Sequence, residues 1–139
     1  MKQIASRLIR MNGKYLLDTS IIIELFANDQ DINKHLEKAE SVFIPSIAIG
    51  ELYYGANKST RIQENMEQVK RLVSISIILN CDADTGYWYG TVKNQLRQDG
   101  KPVPENDIWI AALTLQHDLT LATRDKHFET VKGLKVEMW

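Results

Sequence analysis

The chain has 139 residues, 44% of them hydrophobic and 25% charged, with a formal net charge of −1. That is the composition of one ordinary globular domain built on a single core. It lacks the global basic field of a protein that coats nucleic acid non-specifically, yet it does not bar a nuclease, because a cluster of carboxylates would itself pull the total down.

Lys2, Arg7 and Arg10 interrupt the apolar residues of the opening segment, so it makes a poor signal peptide. Residues 1–13 are expected to be an extension outside the core and residues 14–139 the domain. No apolar run is long enough to span a membrane. The lone Cys81 can form no internal disulfide, which suits a reducing, cytoplasmic compartment. It follows an apolar run and is expected to be a buried, inert thiol.

Lys14–Leu17 reads as a short strand ended by Asp18, with Thr19 or Ser20 capping a helix from Ile21 to about Ala27. An amphipathic helix follows over 32–39. Ser41–Ile44 is a second strand, stopped by Pro45, which suits the first position of a helix running to about Asn57. Residues 61–73 are helical, and the β-branched run 74–79 predicts a third strand. Asp82 or Asp84 begins a long helix closed by Gly100. Pro104 then stops the chain and Asn106 is placed to cap the next helix, whose first turn holds Asp107. That helix, Ile108-Trp109-Ile110-Ala111-Ala112-Leu113, is apolar on nearly every face and must be buried. Residues 119–123 alternate as a fourth strand, 125–131 are partly helical, and 134–138 form a last strand.

Strand and helix alternate throughout, which implies a three-layer α/β fold, a mostly parallel sheet of about five strands with helices on both faces. In such sheets ligands bind beyond the carboxyl ends of the strands. Asp18 follows the first strand and Asp125 the fourth. The helix begun by Asp107 runs antiparallel to the strand it feeds, so Asp107 returns to the same edge. Glu51 lies off the apolar arc Ile49, Leu52, Tyr53 and Ala56 of its helix, beside Gly50 and one turn before Gly55, where small residues would let backbone or ligand approach. Singly, each acid is a first-turn stabiliser or a solvated surface residue. Together they form a site that would repel itself without a hard divalent cation, and Mg²⁺ takes such oxygen ligands. His35, His117 and His127 are scattered, with no zinc-like spacing and no phosphate-binding glycine loop nearby. With no histidine placed as general base, metal-activated water would have to attack the phosphodiester.

The segments Leu16-Leu17-Asp18-Thr19-Ser20, Gly50-Glu51-Leu52-Tyr53-Tyr54-Gly55, Asn106-Asp107-Ile108-Trp109-Ile110-Ala111-Ala112 and Leu121-Ala122-Thr123-Arg124-Asp125-Lys126-His127-Phe128 resemble, in order and spacing, the acidic motifs of PIN domains. More closely, the chain from Tyr15 to Trp139 resembles the VapC toxins of type II toxin–antitoxin (VapBC) pairs. Gly100-Lys101-Pro102-Val103-Pro104 and Val131-Lys132-Gly133-Leu134 resemble the subset that cuts transfer RNA. The resemblance implies an endoribonuclease dependent on Mg²⁺ or Mn²⁺, with Asp18, Glu51, Asp107 and Asp125 as catalytic and metal-ligating residues and Thr123 orienting them. It also implies a homodimer and a cognate antitoxin, VapB-like, that blocks the acidic cleft. In the dimer Trp109 and the pair Tyr53-Tyr54 are candidate contacts, although core packing explains them equally well.

Lys93 and Arg97 share a helix face and, with Lys101, could meet RNA phosphates; a solvated helix face is the plain alternative. Arg124 and Lys126 flank Asp125 and could touch phosphate or balance the carboxylates. Two other readings of a PIN-like chain stay open at this level: an RNA-processing nuclease without an antitoxin, and a non-catalytic module that binds RNA or a partner. A receiver domain fits poorly, since Asp18 stands alone and Asn80-Cys81 follows the third strand.

Overall fold

A computed structural model describes residues 13–139. The expected extension lies, save for Gly13, outside the described residues. Five strands, β1 (Lys14–Leu17), β2 (Ser41–Pro45), β3 (Ile77–Leu79), β4 (Thr120–Thr123) and β5 (Lys135–Met138), form one sheet in the order β3-β2-β1-β4-β5. Every pairing is parallel; Leu16 faces Phe43 on one side and Leu121 on the other. Six α-helices connect them: α1 (Thr19–Phe26), α2 (Gln30–Lys38), α3 (Ser46–Asn57), α4 (Ile62–Ile75), α5 (Ala83–Gln98) and α6 (Glu105–Gln116), with a 3₁₀ turn at Lys126–Thr130. Among the described residues no helix is long and apolar enough to cross a membrane.

Strands buried on both faces must carry apolar side chains at successive positions, and Leu16 and Leu17 do so. Leu16 joins Val92, Leu96, Ile108, Leu113 and Phe128 on the α5–α6 side. Leu17 joins Ile21, Ile22, Ala48, Leu52 and Val69 on the α1–α4 side. Helix α6 is apolar all round because it is enclosed: Ile108 and the run from Ile110 to Thr114 are buried.

Some boundaries differ from the expectations above. Helix α4 runs on through Ser74 and Ile75 and leaves only three residues to β3; the intrahelical hydrogen bonds outweigh β-branched preference at the start of the run, where Ser74 and Ile75 are exposed. Pro45 is the last residue of β2 and the cap of α3 rather than its first residue. Pro104, not Asn106, occupies the cap position of α6, and it makes no side-chain capping bond. Asp82 caps α5 in a reciprocal arrangement with Thr85. Cys81 is exposed rather than buried, because β3 ends at Leu79 and the chain leaves the sheet. Partial desolvation and then Asp82 push its thiol up, away from the thiolate.

Candidate active site

The strand order reverses at β1: successive strands step outward to β2 and β3, then the chain crosses to β4 and β5 on the other side. At such a switch point the connections leave in opposite directions and a crevice opens beyond the carboxyl ends. Asp18 leaves β1 there. Its backbone N–H still donates to Ala122 of β4, at 3.0 Å, so the residue is fixed to both strands before its helix begins.

The Asp18 side chain is only 4% exposed. Its Oδ1 accepts from the Thr19 N–H at 2.8 Å. Its Oδ2 accepts from Ser20 Oγ at 2.9 Å and from Thr123 Oγ1 at 2.7 Å. Oδ2 thus spends both its lone pairs on hydroxyls, and Oδ1 keeps one for a further ligand. Thr123 Oγ1 also accepts from the Asp125 N–H at 3.0 Å, so one buried hydroxyl ties the acid after β1 to the acid after β4. This is the geometry of the orienting role that the resemblance implies for Thr123.

Glu51 reaches the crevice from α3, where its Oε1 accepts from Thr19 Oγ1 at 3.0 Å. Burial, together with the charge of Asp18, pushes its carboxyl up, although the Thr19 hydrogen bond opposes the shift. Asp107, in the first turn of α6, is the most perturbed of the four. Burial first, then the charges of Asp18, Asp125 and Glu51, push its carboxyl up to about 6. All four predicted acids therefore share one electrostatic neighbourhood at one sheet edge. No hydrogen bond to the Asp107 carboxylate is found among the described residues.

Three residues of this site escaped the sequence reading in their actual roles. Thr19 and Ser20 were expected as helix caps, but Asp18 itself caps α1 and the two hydroxyls hold Glu51 and Asp18. The signal was the pair of hydroxyl residues directly after a strand-terminal acid. His127, read only as one of three scattered histidines without zinc-like spacing, has its Nδ1 2.9 Å from Asp125 Oδ1 on the exposed rim; the 3₁₀ turn after β4 folds it back. Gly50 and Gly55 were read as room for backbone or ligand to approach; no backbone fills that room, and a methyl group built at either would meet only open space within 4 Å.

The basic candidates separate. Arg124 faces away from the acids: its Nε donates to the Trp139 carbonyl at 2.7 Å and its guanidinium pairs with Asp29 at 3.1 Å and Glu24 at 3.9 Å. It fastens the turn after β4 to α1 and α2 instead of facing a substrate. Lys93 pairs with Glu105 at 2.6 Å. Arg97 and Lys101 have no ion-pair partner among the described residues. Trp109 stacks on Tyr89 within the chain, ring centroids 4.0 Å apart, so intramolecular packing accounts for it, whereas Tyr54 is 66% exposed.

The donor set suits a hard cation. All four acids offer oxygen, and among the described residues no lysine or arginine turns in to neutralise them, so an external positive charge is the natural relief for a carboxyl held near 6. Among the described residues no three acidic, histidine or cysteine side chains converge tightly enough to enclose an ion alone. Mg²⁺ does not require that: it keeps several waters and binds through one or two carboxylates plus substrate phosphate.

A small parallel α/β domain with four acids at its switch point is the form of a PIN domain, and the PIN domain family matches residues 15–134. The chain is 33% identical to Ribonuclease VapC2 of Haemophilus influenzae, covering 91% of this chain and 98% of that protein. It is 30% identical to the tRNA(fMet)-specific endonuclease VapC of Shigella flexneri, over 91% and 98%. The structure of VapBC2 from Rickettsia felis bound to a promoter DNA fragment superposes with a TM-score of 0.85 at 27% identity, covering 91% of this chain and 98% of that one. DNA-bound VapBC from Salmonella typhimurium gives 0.84 at 28% identity, with the same coverage. The chain belongs to the PIN-domain family and, within it, to the VapC group.

Proposed function

We propose that this protein is the toxin of a type II toxin–antitoxin pair and acts as a divalent-metal-dependent endoribonuclease. The observation that carries the reading is the convergence of Asp18, Glu51, Asp107 and Asp125 at the switch point, with Asp107 held up at about 6. The names of its relatives supply the substrate class, and two of them act on initiator transfer RNA by name, so a transfer RNA is the preferred substrate here.

A divalent cation, Mg²⁺ or Mn²⁺, would be held by Asp18 and Asp107 with Glu51 and Asp125 around them, and when bound would supply charge neutralisation and activation of water. The chain's own residues prepare the place. Thr123, Ser20 and the Thr19 N–H hold the Asp18 carboxylate in one orientation. Thr19 holds Glu51 in the same way. Water attack on phosphorus needs no 2′-hydroxyl, so the products carry a 5′-phosphate and a 3′-hydroxyl. Single-stranded loops suit a crevice on a small protein, because their bases are already unstacked. The related VapBC structures support an antitoxin partner, and the acidic crevice suits one that inserts an arginine or lysine among the carboxylates. A homodimer and a cytoplasmic site of action complete the reading.

The test incubates purified protein with a hairpin RNA in Mg²⁺, Mn²⁺ or EDTA, followed by end-group analysis. Cleavage should require metal, leave 5′-phosphates and stop when the antitoxin is added. Asp18→Asn and Asp107→Asn should each lower the rate by roughly 100-fold or more. Undiminished cleavage in EDTA, or 2′,3′-cyclic phosphate ends, would refute the mechanism.

A further inference from the structure

A groove of about 410 Å³ lies between α5 and α6, within the size range of small-ligand pockets. Leu96, Pro102, Val103 and Ile108 give it an apolar floor, and Lys93, Arg97 and Lys101 stand around it. Its α6 wall is the turn that carries the candidate metal ligand Asp107, since Glu105 and Ile108 line it. The charges on the rim do not cancel. Lys93 is engaged by Glu105, which also accepts from Tyr89. Asp99 is engaged by Gln95 and Lys132, and Lys101 acts on it through charge without an ion-pair contact. Arg97 and Lys101 are left as two exposed cations without an ion-pair partner among the described residues.

The far wall is built rather than loose. Helix α5 ends with the Gly100 N–H donating to Arg97 O at 3.2 Å and the Lys101 N–H donating to Leu96 O at 3.0 Å. With Gly100 at φ +64° this is the paired closure that locks a helix end in the left-handed conformation. Pro102 and Pro104 stiffen the chain beyond it. Lys101 is thus presented from a fixed backbone, which lowers the ordering cost of binding.

We propose that this groove is a nucleotide subsite: it seats one unpaired base of the RNA flanking the cut phosphate, with Arg97 and Lys101 on the adjoining phosphates. The apolar floor matches the face of a base, and the two free cations match the backbone on either side. The groove adjoins the acids along the first turn of α6, where Glu105 and Ile108 bracket Asp107. The inference rests on the ribonuclease reading and names where the substrate lies.

Fluorescence anisotropy tests it, with the full chain carrying Asp107→Asn so that a labelled hairpin RNA is bound and not cut. Adding Arg97→Ala and Lys101→Ala should weaken binding on the order of tenfold and flatten the dependence of log K on log salt by roughly 1 to 1.5. The conservative pair Arg97→Lys and Lys101→Arg should restore most of both. An abasic nucleotide walked through the loop should weaken binding at one position beside the cut, also on the order of tenfold. Unchanged affinity and salt slope in the double variant would overturn the subsite even if the wild-type protein cuts RNA. So would loss of antitoxin binding in place of RNA binding, which would make the groove a protein-docking surface. Absence of metal-dependent cutting by the wild type would instead sink the ribonuclease reading, while the binding measurement would still judge the groove.

Discussion

Asp107 shows how one side chain can be read two ways. An acid in the first turn of a helix stabilises the dipole, and nothing in a single sequence distinguishes that from a ligand. In the structure burial and three neighbouring carboxylates act on it together, and no hydrogen bond to it is found among the described residues. The sign of the pH dependence follows. With its carboxyl at about 6 in the folded protein and at an ordinary carboxylate value when unfolded, the native state binds more protons between about pH 4 and 6. Stability is therefore greater below that window and is lost as pH rises through it. In chelator, the wild-type melting temperature should rise as pH is lowered from 7 towards 5. Asp107→Asn should melt higher than wild type at pH 7 and depend less on pH. A clear drop in melting temperature for that variant at pH 7 would make Asp107 a structural residue.

At the scale of elements, much of the layout was legible because periodicity and punctuation agree. Gly100 and Pro104 bracket a real break, Asp18 ends a real strand, and the all-apolar stretch after Asp107 is a buried helix. What was not legible is local competition. The sequence at 74–79 satisfies both helix and strand, and only the packing of α4 decides how much of it pairs with β2. The partners of Arg124 were hidden for a different reason: Glu24 and Asp29 lie about a hundred residues earlier in the chain, and only the β1–β4 pairing brings them near. The glycines separate by backbone. Gly100→Ala should cost about 1–2 kcal/mol, because φ is +64° although a methyl group there meets no protein atom. Gly50→Ala, in a helix and equally open, should stabilise by about 0.5–1 kcal/mol. Chemical denaturation of both variants checks this; equal effects of the same sign would contradict it.

At the scale of the whole molecule, the β3-β2-β1-β4-β5 order makes the site. Four acids separated by up to 107 positions in sequence meet because β1 and β4 are neighbours and because α3 and α6 each begin at the carboxyl edge. Asp18, Asp107 and Asp125 could be placed at this edge from sequence, since alternation puts strand ends and helix starts there; Glu51, inside α3, joined them only beside those three and through the family resemblance. The hydroxyl scaffold of Thr19, Ser20 and Thr123 sharpens that picture into geometry. These carboxylates are proposed as a divalent-cation site. Its most direct test is thermal melting of the full chain at pH 7 with increasing Mn²⁺ or Mg²⁺ against EDTA, for wild type, Asp18→Asn and Asp107→Asn. Wild type should gain stability with the logarithm of metal concentration above its dissociation constant, and both variants should gain far less. A wild-type melting temperature indifferent to metal, or the same gain in all three proteins, would contradict the account.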